Sequence, residues 1–166
     1  MQIGQAAARQ FAVSGSALLA LFLGTSVYLL DRDWATVQFL VPFAVFQGER
    51  ANLFGTLGQV LPSLCHAYAF SLLLILALGR TRGARFFGAL AWFVVAAGLE
   101  ALQSLRFSVL LTGLTGPPAD SPVLGSIANY AANGHFDPGD LVAAGLGCVA
   151  ACLVASAQEK ANEYRQ

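Results

Sequence analysis

The chain has 166 residues, 57% of them apolar and only 11% charged, with no net charge. Soluble domains carry about 25% charged residues, so this composition excludes an ordinary soluble domain. It points to a single domain built in a membrane.

The first apolar stretch is Phe11–Leu30. A secretory signal is one reading, with Arg9 ahead of the run and Gly24-Thr25-Ser26 as a weak cleavage sequence. The run exceeds the roughly 7–15 apolar residues of a signal core, so a retained span is expected. Segment 34–47 follows. It is too short to cross a bilayer, Pro42 would break a helix within it, and Phe39, Phe43 and Phe46 recur at roughly helical spacing. It is expected to be a short re-entrant or interfacial element at the outer surface, acting as a cap on the bundle or a lid over a groove.

Two further stretches, about 60–79 and 86–105, each approach the ~20 residues that cross a hydrocarbon core. They are apolar on all faces, unlike the one-sided helices of soluble bundles. Glu100 lies within the third stretch, about five residues before its end, and Gln103 follows three residues on, on the same helical face. An ionisable residue in a span is costly and normally faces protein or a wet cavity. The stretch 106–136 contains Thr115-Gly116-Pro117-Pro118 and Asp120-Ser121-Pro122, both turn signals. It is expected to form a long outer loop between the third and fourth helices.

The fourth stretch, about 140–157, starts at Asp137-Pro138-Gly139-Asp140. That order fits an N-cap, a proline at the first helical position and an acid in the first turn. Ala143, Gly147, Ala151 and Ala155 form one ladder of small residues, and Ala144, Cys148, Cys152 and Ser156 the next. Such ladders allow close helix packing in lipid, either within this chain or against another membrane subunit. Cys65, Cys148 and Cys152 read as small buried apolar residues.

The expected fold is therefore an all-α bundle of four transmembrane helices in one domain. Arg80, Arg82 and Arg85 crowd the link between the second and third stretches. Together with Arg9, Lys160 and Arg165 they would place six of nine basic residues on one side. The positive-inside rule makes that side, and both termini, cytoplasmic. The opposite side carries Asp31, Asp33, Glu49, Asp120, Asp137 and Asp140, which argues against nucleic acid as a partner.

On this topology His66, Glu100, Asp137 and Asp140 lie at similar depth near the outer end. Each also has a structural explanation: capping for the aspartates, a backbone hydrogen bond for His66, and a pair with His66 or Arg106 for Glu100. The chain has no phosphate loop, no His-Glu-x-x-His and no Cys-x-x-Cys. One histidine with scattered carboxylates, or His135 beside Asp137, is a weak metal signal, so no metal and no cofactor is expected.

In this order the residues resemble the VanZ-like family of small bacterial membrane proteins. Pro42-Phe43 is similar to its early Asn-Leu-x-Pro-Phe stretch, and His66 through Phe70 to its His-Phe-x-x-Tyr pattern. Glu100-Ala101-Leu102-Gln103 matches its Glu-x-x-Gln, and Asp137 with Asp140, followed by Gly147, its Asp-x-x-Asp and later Gly. The family's Arg ahead of the first Asp is Gly134 here, leaving His135 or Arg106 as possible accessory groups. The family's Asn four residues after the second Asp is Ala144. The resemblance implies a multi-pass protein of the bacterial cytoplasmic (inner) membrane with cell-envelope functions. The expected activity is binding or modulation of a membrane lipid or lipid-linked glycan. The site would be an outward-facing pocket lined by His66, Glu100, Gln103, Asp137 and Asp140. An accessory subunit of a larger membrane complex, joined through the fourth span, is an alternative. So is an enzyme acting on a lipid-linked substrate, with Glu100 as acid or base.

Overall fold

A computed structural model of the chain describes residues 2–31, 53–79, 81–104 and 135–163. These form four helices: α1 (Gln2–Asp31), α2 (Leu57–Leu78), α3 (Arg82–Leu102) and α4 (Pro138–Glu163). Among the described residues there is no strand. The expected interfacial element at 34–47 and almost all of the expected outer loop at 106–136 lie outside them.

All four helices are long and apolar enough to cross a membrane. The shortest has 21 residues, or about 32 Å at 1.5 Å per residue. The distribution of side chains agrees with lipid as the surrounding medium. Large apolar groups point outward, including Phe11, Leu18, Phe22, Phe86, Phe87, Val94, Leu146 and Leu153. The interior is built largely from small residues: Ala17, Ala67, Ala69, Ala89, Ala143, Ala144 and Ala151 are buried. Lipid tails are as apolar as leucine, so burying leucine drives little association; close backbone approach does.

The helices alternate in direction. Gly24 of α1 faces Cys65 and His66 of α2, whereas Ser16, about two turns earlier, bonds Tyr68 further along α2. In α3, Gly88 lies against Ile75 of α2. In α4, Gly139 lies near Val60 and Gly147 near Leu64, Ala67 and Tyr68, so α2 and α4 run parallel. Helix α2 is the centre of the bundle, packing most extensively on α4 and also on α1 and α3. Its Leu72 and Ile75 join Val13, Ala17, Ala69 and Ala151 in one core.

The small-residue ladder of α4 thus packs inside this chain. A Cβ on Gly147 would collide with the Leu64 carbonyl oxygen and approach the Tyr68 backbone nitrogen to 2.8 Å. Ala143 and Ala151 above and below it are buried, Ala151 completely. The next ladder also turns inward: the Ser71 hydroxyl donates to the Cys148 Sγ at 3.2 Å, and Cys65, Cys148 and Cys152 are all free thiols.

The third helix is displaced from its apolar stretch. Its N-cap is Thr81, with extended backbone and a side-chain oxygen accepting from the Ala84 N–H at 3.1 Å. Arg82 and Arg85 therefore lie in the helix rather than in a link, and Arg85 is 9% exposed. The helix ends at Leu102, where the Gln103 N–H turns back onto the carbonyls of Glu100 and Ala101. Glu100 consequently sits in the last turn.

Candidate functional site

The end of the bundle that holds Glu100 gathers the end of α1, the start of α2, the end of α3 and the start of α4. Two helix N-termini thus meet there, each exposing backbone N–H groups without intrahelical partners. A carboxylate lies at each: one caps α4, and the other bonds the segment that leads into α2. Asp31, the last residue of α1, accepts from the Leu53 and Phe54 N–H groups at 2.7 and 3.4 Å. Its other oxygen lies against Gly58. The Asp31 carboxylate therefore ties α1 to the start of α2, whose own N-cap residue Thr56 makes no side-chain cap.

At α4 two acids act together. The Asp137 Oδ1 accepts from the Gly139 N–H at 2.7 Å, the expected capping bond. The Asp137 N–H donates to the Glu100 Oε1 at 2.6 Å. Glu100 is 7% exposed, so a buried carboxylate on α3 is held by the positive end of α4, where negative charge is favoured. Asp140, in the first turn of α4, accepts from the Ser63 hydroxyl of α2 at 2.7 Å.

Between these helices lies a cavity of about 450 Å³. All four helices line it. Helix α1 contributes Leu21, Thr25 and Tyr28, and α2 contributes Ser63, His66, Ala67 and Phe70. Helix α3 adds Trp92, Ala96, Leu99 and Glu100, and α4 adds Asp140, Leu141 and Ala144. Helices α1 and α3 flank α2 and share little contact of their own, which leaves room for the cavity between them. Its aromatic wall is continuous. His66 stacks on Tyr28 with centroids 5.8 Å apart and leans towards Phe70, which stacks on Trp92 at 4.3 Å.

The structure therefore brings His66, Glu100 and Asp140 to one cavity. Asp137 stands behind them as a cap and does not line it, and neither does Gln103, which closes α3. His135 is exposed and also lies away from the lining. Arg106 lies outside the described residues. No cluster of three His, Cys, Asp or Glu suited to a metal occurs among the described residues.

Sequence reasoning missed Thr25, Tyr28, Ser63, Phe70 and Trp92. A helical-spacing signal was present, because Ser63, His66 and Phe70 fall at i, i+3 and i+7, and Trp92, Ala96 and Glu100 at i, i+4 and i+8. Read together with the two ionisable residues, those faces mark the cavity wall.

Asp137→Ala is expected to destabilise the protein by about 0.5–2 kcal/mol, typical of a lost N-cap, and Asp137→Asn by much less. The bond to Glu100 uses the Asp137 backbone and survives both changes. Unfolding in mixed micelles checks this: equal stability of the two variants contradicts the capping role.

Fold and site together define a four-helix membrane bundle with an acid-lined cavity at one end. No family model matches the chain, no curated protein matches its sequence, and no solved structure matches its fold.

Proposed function

We propose that this is a VanZ-like protein of the bacterial cytoplasmic membrane that binds an envelope lipid or lipid-linked glycan at an outward-facing pocket. The observation that carries the reading is the cavity that joins His66, Glu100 and Asp140 from three helices. Its size suits part of such a molecule, since small-ligand pockets run to about 300–1,000 Å³. Its lining combines apolar and aromatic surface with a few fixed polar groups, the usual composition of a binding site. The small-residue face behind the subunit alternative is occupied by α2 of the same chain.

The test is ligand retention. Protein extracted in mild detergent and examined by mass spectrometry should carry one envelope amphiphile well above its share of the membrane. A bound-lipid profile identical to the bulk membrane would sink the reading.

The proposal also fixes an orientation, with both termini cytoplasmic, from the grouping of basic residues. In a cysteine-free background, an impermeant thiol reagent added to intact cells should label Asp120→Cys and spare Gly83→Cys. Gly83 tolerates the change, its nearest neighbour being Thr81 Oγ1 at 3.8 Å. Labelling of position 83 alone would put the cavity on the cytoplasmic side.

A further inference from the structure

We infer that the cavity selects an uncharged lipid that carries a carbonyl or hydroxyl oxygen into the hydrocarbon layer; the inference rests on the binding function proposed above and commits it to a lipid rather than a glycan. The observation that carries it is a set of hydrogen-bonding groups left open in the cavity wall. Thr25 of α1, His66 of α2 and Trp92 of α3 all line the cavity. The His66 ring touches those of Tyr28 and Phe70, and the Trp92 ring stacks on Phe70. Among the described residues, however, neither ring nor the Thr25 hydroxyl makes a hydrogen bond. The neighbouring Ser26 returns its hydroxyl to the Phe22 carbonyl at 2.7 Å, the usual local solution in a helix. The nitrogens of both rings remain accessible rather than enclosed by protein. His66 reaches its position because Gly24 has no side chain: a Cβ there would lie 3.2 Å from the His66 Nε2.

Depth decides the class of ligand. Thr25, His66 and Trp92 stand six, nine and ten residues inside the ends of their helices, about 9–15 Å at the helical rise. A polar group at that depth has no bulk water to turn to, and leaving it unpaired is costly. An ionised head group brought there is costlier still. A sugar brings more hydroxyls than these three groups can pair. The rest of the wall at this level, including Leu21, Ala67, Phe70 and Ala96, offers no polar side-chain atom. A neutral lipid with one or two oxygens matches instead. The Trp92 N–H only donates, so the ligand oxygen accepts; Thr25 and neutral His66 both donate and accept, which admits a carbonyl or a hydroxyl.

Trp92 reports on the site. The chain has two tryptophans, so Trp34→Phe leaves Trp92 as the single emitter. The full-length protein in phosphatidylcholine nanodiscs is titrated with a decyl-substituted benzoquinone, an uncharged lipid whose carbonyl-bearing ring quenches tryptophan on contact. Saturable quenching is expected. Hexadecanol or hexadecanone should reverse it, and the more effective of the two shows whether the oxygen is a hydroxyl or a carbonyl. Hexadecane, hexadecyl phosphate and hexadecyl glucoside should each be at least tenfold less effective. His66→Phe keeps a ring beside Tyr28 and removes both nitrogens, and Thr25→Val keeps the side-chain shape and removes the hydroxyl. Each should weaken the quinone severalfold, and the competitor series in the unaltered cavity stands even where a variant folds poorly. Equal competition by hexadecane means that water meets the polar groups, and it overturns the inference. Reversal by the phosphate or the glucoside, but by neither the alcohol nor the ketone, overturns it while leaving the binding function in place. Linear quenching that no competitor reverses overturns it as well, and the retained-lipid profile then decides the binding function separately.

Discussion

Gly147→Leu is expected to destabilise the bundle more than any other single change considered. At that position a Cβ alone meets the Leu64 carbonyl oxygen, the Tyr68 nitrogen and, at 3.1 Å, the Ala67 Cβ. The neighbours are helix backbone and cannot swing aside, so α2 and α4 must separate. Overpacking of this kind costs typically about 1–3 kcal/mol, and here the upper end is expected. Separation would also pull Asp140 from Ser63 and open the cavity. Gly98→Ala is the matched control, since nothing lies within 4 Å of a Cβ there. It should stabilise α3 by roughly 0.5–1 kcal/mol by removing the flexibility of a mid-helix glycine. Unfolding of the two variants side by side checks the packing. If Gly147→Leu were as stable as the parent, the close contact between α2 and α4 would be wrong.

Glu100→Leu is the second large effect. The substitution removes the hydrogen bond that Glu100 accepts from the Asp137 N–H, about 1.5–3 kcal/mol for a carboxylate acceptor. It also leaves that N–H at the start of α4 without its acceptor. Glu100→Gln keeps an oxygen in place and should cost clearly less, since a neutral hydrogen bond contributes about 1 kcal/mol. The two variants separate structure from function. A purely structural Glu100 predicts that Glu100→Gln folds and retains ligand. A charge-dependent site predicts that Glu100→Gln folds and loses it. Folding by thermal melt and ligand retention by mass spectrometry, measured on one preparation, distinguish the cases.

The four spans were legible because apolar length is a direct requirement of the bilayer, and nothing else in a chain of this composition produces it. Their ends were less so. Hydropathy cannot see that the Thr81 side chain starts α3 at Arg82, or that Arg85 remains in the helix with most of its surface covered. The ladder on α4 was visible, but a ladder names no partner. Only the complementary surface of α2 at Leu64, Ala67 and Tyr68 identifies it. In the site, Glu100 stood out because a carboxylate in an apolar run is costly, and Asp137 because its cap spacing is distinctive. Its bonding to Glu100 was not legible, since the donor is a backbone N–H that carries no sequence signal. Phe70, Trp92 and Tyr28 escaped notice for a related reason. In a helix that is apolar on every side, an aromatic facing a cavity and one facing lipid read alike.

The most direct test of the cavity as a binding site is to fill it. Ala96 lines it on α3, between Trp92 and Glu100 on the same face, and is only partly buried. Ala96→Phe places a ring in the space and leaves the Glu100–Asp137 and Ser63–Asp140 bonds untouched. Bound amphiphile per protein is then measured by mass spectrometry beside the thermal midpoint. The account predicts a stable protein whose retained ligand falls at least tenfold. Full retention of the same ligand by a stably folded Ala96→Phe protein would contradict it.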